Sequence, residues 1–256
     1  MQVIKFNIID STHSYALKMI NEPETSECAI IADQQTKGIG RCNRKWISDR
    51  GNLFVSIIKW LHHGRLSNNE IHSSNVDVGK ISLTIACAVR DTIAHFVGDS
   101  SDLTLHWPND VYHKNRKISG ILIAVAGEWM VISVGINVNS APNITLAPTS
   151  LKDIILSSND IPPMSVFNIL IASIDKWLLL LEKSDFSCIR SYWLRNINGI
   201  KCNVVVKNGM ESVSGLFYDL DESGRLILEK DGEYLFISSG DLFLNQEGIV
   251  VSNEEN

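Results

Sequence analysis

Two long apolar stripes at helical spacing leave this chain few ways to fold. Ile81, Ile85, Ala88, Val89 and Phe96 mark one face of a helix from about Val78 to Val97. Phe167, Leu170, Ile171, Ile174, Leu178 and Leu181 mark a second, over Val166 to Lys183. Stripes of this kind are core. Around them lie runs that read as strands: Val3–Ile9, Cys28–Ala32, Leu53–Lys59, Leu103–His106, Lys117–Val125 and Trp129–Val138. The last two are joined at Gly127-Glu128 as a hairpin. Asp10-Ser11-Thr12 offers N-cap residues for a helix over Ser14–Asn21. Ser140 to Pro163 is a polar connection with a short helix near Leu151.

Beyond Asn196 the texture changes to short β-rich runs, at Cys202–Lys207, Glu211–Tyr218, Arg225–Glu229, Tyr234–Ser238 and Asp241–Leu244. Turn signals at Asn208-Gly209, Ser223-Gly224 and Asp231-Gly232 separate them. Such strands suit a small barrel rather than a large sheet. The expected boundary lies near Ile197-Asn198-Gly199, giving an α/β domain over 1–197 and a small β module over 198–249. A length of 256 residues, 45% hydrophobic and 20% charged, fits that division in an ordinary globular protein.

The formal charge of −6 argues against bulk nucleic-acid binding. Met1 to Asp10 has neither a basic start nor a long apolar stretch, so no signal peptide is read there. Unbroken apolar runs such as Trp177 to Leu181 are far short of a membrane span. Five scattered cysteines, Cys28, Cys42, Cys87, Cys188 and Cys202, read as reduced thiols of a cytoplasmic protein, with no zinc site. His62, His63 and His72 lack acidic or cysteine partners at ligand spacing and read as a solvated loop, so no metal site is expected.

Chemistry concentrates in three segments. Gln35 to Trp46 follows the buried run at Cys28–Ala32 and carries Gly38, Gly40, Arg41, Arg44 and Lys45. Glycine permits positive φ and close approach to a ligand, and exposed N–H groups with guanidinium forks suit a phosphate. The spacing is not that of a P-loop, and two glycines alone are weak evidence for a dinucleotide site. The second segment runs from Trp107-Pro108-Asn109-Asp110 to Lys117 and Gly120, where proline restricts the turn and Lys117 is a point charge for a carboxylate or phosphate. Val134-Gly135-Ile136-Asn137-Val138-Asn139 is the third.

Together these segments resemble the biotin–protein ligases (biotin–[acetyl-CoA-carboxylase] ligases), and the resemblance runs through most of the chain. Asp10-Ser11-Thr12-His13 is similar to the family's Asp-Ser-Thr-Asn, and Gln35 to Trp46 to its Gln-Thr-x-Gly-Arg-Gly-Arg-Arg-Gly-Arg-x-Trp. Trp107 to Leu122 resembles Lys-Trp-Pro-Asn-Asp followed by Lys-Ile-x-Gly-Ile-Leu, and Gly135 to Asn139 resembles Gly-Ile-Asn-Val-Asn.

The resemblance implies an α/β (α+β) fold: a mixed-sheet catalytic domain of the biotin/lipoate ligase, class II synthetase-like type, then a small SH3-like β-barrel. It implies that biotin reacts with MgATP to give biotinyl-5′-AMP and pyrophosphate, and then passes to a lysine of a biotin carboxyl carrier domain of acetyl-CoA carboxylase or a related carboxylase. Ser11, Thr12, His13, Gln35, Gly38, Ile39, Gly40, Arg41, Lys117 and Gly120 would hold biotin. Arg41, Arg44, Trp46, Asn109, Lys117 and Asn137 would hold the nucleotide. Arg41, Lys117 and Asp110 would carry the chemistry, with Lys117 bridging carboxyl and phosphate and Asp110 orienting the acceptor lysine. With the Ser-Thr motif at residue 11, no DNA-binding winged helix is expected. The reading needs neither nucleic acid nor membrane and is compatible with a homodimer. Its rivals are a lipoate or octanoyl transferase and a non-catalytic relative that binds biotin or carrier.

Departures from the pattern are local. Ile39 and Cys42 stand where the family has arginines, and Asn43 where it has glycine. His106 replaces a lysine, Ala124 a common glutamate and Ser133 a glycine. With two cations fewer, the loop is expected to close less firmly over the adenylate. An Ile39→Arg, Cys42→Arg variant should therefore release severalfold less free biotinyl-adenylate. Equal release by variant and native chain would remove the idea.

Overall fold

The computed structural model describes residues 1–61, 77–144, 147–183 and 186–244; the expected histidine loop at His62, His63 and His72 lies outside them. Seven strands form the larger sheet: β1 (Gln2–Ile9), β2 (Cys28–Gln35), β3 (Leu53–Trp60), β4 (Leu103–His106), β5 (Asp110–His113), β6 (Arg116–Ala126) and β7 (Trp129–Ile136). Their order is β1-β2-β3-β7-β6-β5-β4. Only β1 and β2 run parallel, joined through α1 (Thr12–Met19); the other pairs are antiparallel, so the sheet is mixed.

The middle of this sheet is covered on both faces, which is why β2 and β3 read as unbroken apolar runs. Leu53, Val55 and Ile57 join the main core, while Ile58 packs in a second cluster with Ala16 of α1. Successive strand residues alternate faces. Phe54, Ser56, Ser133, Gly135 and Gly120 therefore face away from the main core.

That core is capped by α2 (Val78–Val97), α3 (Leu151–Ile154), α4 (Pro163–Lys183) and α5 (Ser187–Asn196). α2 lies against both the sheet and α4, and accordingly every residue from Leu83 to Arg90 is buried. α4 is long and apolar enough, by length and composition, to cross a membrane, with a mean hydropathy of 1.7. Its Val166, Phe167, Leu170, Ile174 and Trp177 are buried within this protein.

Two elements escape the sequence pattern. α5 buries only Ile189 and Trp193, one turn apart, too sparse a stripe to stand out from its polar neighbours. Trp193 nonetheless is fully enclosed, and its indole N–H donates to Leu83 O at 2.7 Å. β5 is a strand of four residues, too short to show alternation; the turn after Trp107 folds it back on β4.

The C-terminal region forms β8 (Asn203–Asn208), β9 (Glu211–Leu220), β10 (Leu226–Lys230), β11 (Glu233–Ile237) and β12 (Asp241–Leu244). They pair antiparallel in the order β11-β10-β9-β8-β12. Among the described residues no pairing joins β11 to β12, so the expected barrel is an antiparallel sheet with two edges. Asp231 and Gly232, both at positive φ, make the tight hairpin between β10 and β11. Val204, Val206, Phe217, Leu226, Leu228 and Leu242 share one buried core with the larger sheet. The Ser223-Gly224 turn is seated on α2: Gly224 O accepts from the Trp107 indole at 3.1 Å, and a Cβ on Gly224 would lie 2.8 Å from Leu83. This seating brings β12 to the mouth of the site.

Candidate active site

A cavity of about 560 Å³ opens on the sheet face that carries α1. Its floor is polar. Ser11 caps α1 by accepting from Ser14 N–H at 3.3 Å, which presents Thr12 and His13 to β3 and β7. Thr12 N–H donates to Gln35 Oε1 at 2.8 Å, and Thr12 Oγ1 lies 3.1 Å from the same oxygen. Ser56 Oγ sits 2.9 Å from Thr12 Oγ1 and 2.8 Å from Ser133 Oγ, which in turn is 2.8 Å from His13 Nδ1. Burial pushes the His13 pKa below its ordinary value.

The wall is aromatic and flat. Gly120 of β6 pairs with Gly135 of β7, and the Trp46 indole lies across both. A Cβ on Gly135 would come within 2.6 Å of that ring, and one on Gly120 within 2.9 Å. Two glycines in register make the bare patch of backbone on which the indole rests.

The Gly38–Trp46 loop is a closed hairpin. Trp46 N–H donates to Gly38 O at 2.8 Å, and Gly40 N–H to Arg44 O at 2.7 Å. Its glycines do not supply the positive φ that the sequence suggests. Gly40 has φ −107°, and the left-handed positions are Cys42 and Asn43 at the tip. Gly38 is required for space instead: a Cβ there would meet Trp46 O at 2.4 Å and Ser48 Oγ at 2.6 Å. Asparagine tolerates the left-handed region better than most residues.

Charges gather at the mouth. Lys117 Nζ donates to Asp110 Oδ2 at 2.5 Å and lies 5.3 Å from the Trp46 ring. Asp110 Oδ1 is buried and has no hydrogen-bond partner among the described residues, as is true of Trp46 Nε1. Arg41 donates to Asn109 Oδ1 at 3.1 Å and to Gly240 O at 3.2 Å. Arg44 donates to Asp241 Oδ1 at 2.8 Å, a hydrogen bond that strengthens its hold on its own proton. Asp241 belongs to β12, so the C-terminal sheet supplies an anion to the arginine loop. His106 stacks on Tyr112 at 4.6 Å and bonds through Nε2 to Leu242 O at 2.8 Å. Burial lowers the His106 pKa and raises that of Tyr112.

Of the residues singled out in the sequence, Thr12, His13, Gln35, Ile39, Gly40, Arg41, Arg44, Trp46, Asn109, Asp110, Lys117, Gly120 and Asn137 all line this cavity. Ser11 is buried beside it as a helix cap, and Gly38 is spent on loop packing. Asn137 also donates to Thr149 O at 3.1 Å, tying the third segment to the approach of α3. Ser48, Ser56, Tyr112, Gly135 and Asp241 were not singled out. Gly135 and Ser133 fall within or beside a noted motif, whereas nothing in the sequence links Asp241 to a loop almost two hundred residues earlier.

A hydrogen-bonding floor, a flat aromatic wall and a cationic mouth suit an elongated molecule with a polar head and an anionic end. The sequence pattern of the biotin/lipoate A/B protein ligase family matches residues 5–139, and that of the biotin protein ligase C-terminal domain matches residues 200–244. A biotin--[acetyl-CoA-carboxylase] ligase of Paracoccus denitrificans is 25% identical over 244 residues, 91% of this chain and 97% of that protein. The bifunctional ligase/repressor BirA of Escherichia coli is 30% identical over 240 residues, 88% of this chain and 68% of that protein. Biotin protein ligase from Aquifex aeolicus, solved in complex with biotin and ATP, has the same fold: the TM-score is 0.78 at 24% identity, covering 95% of this chain and 98% of that one. The chain belongs to the biotin/lipoate A/B protein ligase family. Within it, the two matches together are those of the biotin protein ligases.

The histidines give a pH dependence with a defined sign. Folded His13 and His106 hold protons less tightly than in the unfolded chain, so the unfolded state binds more protons below the ordinary value of 6.5. Stability rises with pH through that region and is fully present above it. The melting temperature should fall as pH drops below about 6.5, and fall less in a His13→Asn, His106→Gln double variant. Parallel curves for the two proteins would contradict this origin.

Proposed function

We propose that this chain is an ATP-dependent biotin protein ligase whose reaction takes place at Lys117. The observation that carries the reading is the meeting, over one cavity, of Lys117, Asp110 and Arg41 from separate segments above a hydrogen-bonding floor. The biotin head group is read at Thr12, His13 and Gln35. The chain of the substrate passes Ile39, Gly40, Gly120 and the Trp46 indole. Ser11 and Gly38 act from behind, as helix cap and loop spacer.

In the first step a carboxylate oxygen of biotin attacks the α-phosphorus of MgATP. The bond to the bridging oxygen breaks, and pyrophosphate leaves with that electron pair. Two anions approach each other, so the barrier depends on fixed positive charge where the phosphate charge builds. Lys117 moves from Asp110 to the substrate oxygens, and Arg41 leaves Gly240 for the phosphate. Arg44, Asn109 and Asn137 complete the nucleotide side, with magnesium arriving on the nucleotide itself. In the second step the acceptor amine attacks the acyl carbon of the adenylate. An amide forms, the bond to AMP breaks and the amine loses a proton. Asp110, released by Lys117 and holding an unpartnered oxygen, orients that amine.

The acceptor is a biotin carboxyl carrier domain of acetyl-CoA carboxylase or a related carboxylase; acetyl-CoA carboxylase is the acceptor in the name of the Paracoccus denitrificans relative. The catalytic domain covers 1–197 and the C-terminal one 198–249; the enzyme works in the cytoplasm and is compatible with a homodimer. Purified protein mixed with biotin, MgATP and a carrier domain should add one biotinyl group to the carrier mass. Lys117→Ala should slow this by about 10²–10³-fold. Asp110→Asn should slow transfer to carrier more than adenylate formation. No gain on any of several carriers, or gain only with lipoate, would overturn the reading.

A further inference from the structure

The floor of the cavity is a hydrogen-bond chain with a forced direction. Thr12 N–H can only donate, so its partner on Gln35 is the amide oxygen, and Gln35 Nε2 is left to donate to Ser48 at 2.9 Å. An amide oxygen can only accept, so the 3.1 Å contact from Thr12 Oγ1 uses the Thr12 hydroxyl proton. The 2.9 Å contact between Ser56 and Thr12 must then use the proton of Ser56. Ser133 supplies the proton for its 2.8 Å contact with Ser56. What remains on Ser133 Oγ is a lone pair, 2.8 Å from His13 Nδ1, and Nδ1 must carry hydrogen.

The reverse direction fails at its far end. It would leave Thr12 Oγ1 and Gln35 Oε1 as two acceptors 3.1 Å apart with no proton between them. Turning the His13 ring over would place Cδ2 against Ser133, closer than a C–H group approaches oxygen. Desolvation lowers the pKa of the ring and so favours its neutral form. A neutral imidazole has one N–H. With Nδ1 protonated, Nε2 is a lone-pair acceptor. No described residue bonds to it, and His13 lines the cavity.

We propose that His13 reads the substrate head group through Nε2, as the acceptor for an N–H donor, with Ser56 and Ser133 as positioning residues that fix this tautomer. The inference rests on the biotin reading above. A ureido ring carries N–H groups on both sides of its carbonyl, and the dithiolane of a lipoyl group carries none. A site that accepts an N–H from its ligand rejects an analogue without one, because the acceptor is left buried and unpaired. His13 thereby selects between the two acyl substrates of its family. The serine at 133 and the histidine at 13 act as a pair: a glycine at 133 would remove the lone pair that holds Nδ1–H.

The test is nitrogen NMR of protein carrying ¹⁵N-labelled histidine, at neutral pH, with and without biotin. His13 signals are identified by their loss in His13→Asn. Nδ1 should be protonated and Nε2 bare, and the Nε2 resonance should move when biotin is added. In binding measurements His13→Leu should weaken biotin affinity about tenfold, while His13→Asn, whose Oδ1 is also an acceptor, should stay within about threefold. Ser133→Ala should mix the two tautomers in the free protein. A protonated Nε2 in protein that binds biotin, or unchanged affinity in His13→Leu, overturns the inference alone. Failure of the native protein to bind biotin, with the tautomer as derived, overturns the ligase reading and the recognition role with it.

Discussion

Gly120 and Gly135 face each other across β6 and β7, and a side chain at either position would take the space that Trp46 occupies. Much of the site follows from this pairing. With the indole laid on bare backbone, the loop before it is drawn over the sheet, and Arg41 and Arg44 arrive beside Asn109 and Asp241. The same register leaves Ser133 two residues before Gly135 on the same face, so the polar floor and the aromatic wall are neighbours on one strand. A shift of one residue between β6 and β7 would turn both to the other face and destroy floor and wall together.

The mouth is arranged around two ion pairs, Lys117 with Asp110 and Arg44 with Asp241. The Lys117 side chain is 32% exposed and that of Asp110 14%, so their ion pair is partly shielded from water. Removing one partner of such a pair leaves a charge without compensation, which is costly. Supplying a competing anion does not. In the function proposed above, a carboxylate or phosphate entering the cavity gives Lys117 a new partner and frees the Asp110 carboxylate for the acceptor amine. Asp241 stands to Arg44 as Asp110 does to Lys117, and it comes from the other sheet. The C-terminal module is thus part of the site's electrostatics, held there by the contact of Gly224 with Trp107 and Leu83.

Much of the architecture is legible in the sequence where long periodic segments decide it. The helix over Val78–Val97 and the strand at Leu103–His106 have the limits that their patterns suggest, because a full-length stripe and a proline-bounded run leave little freedom. The meeting of Thr12, Arg41, Asp110 and Lys117 is legible through resemblance, not through spacing, since no rule of local sequence brings them together. What stays hidden has physical causes. α5 is anchored by two side chains, and β5 by pairing on both sides, so each owes its existence to tertiary contact. Positive φ at Cys42 and Asn43 is imposed by a hairpin closed at Gly38 and Trp46, while of the loop glycines that drew attention only Gly38 serves close packing. Ser56 and Ser133 are ordinary strand residues until the sheet sets their hydroxyls 2.8 Å apart.

A crystal structure with a non-hydrolysable analogue of biotinyl-adenylate tests the central claim, that one cavity holds head group and reacting phosphate at opposite ends. The ureido ring should lie on the floor against Thr12, His13 and Gln35, with the acyl-phosphate junction within hydrogen-bonding reach of Lys117 and Arg41, both withdrawn from Asp110 and Gly240. An analogue bound with Lys117 still on Asp110, or with its ureido ring away from the serine floor, would contradict it.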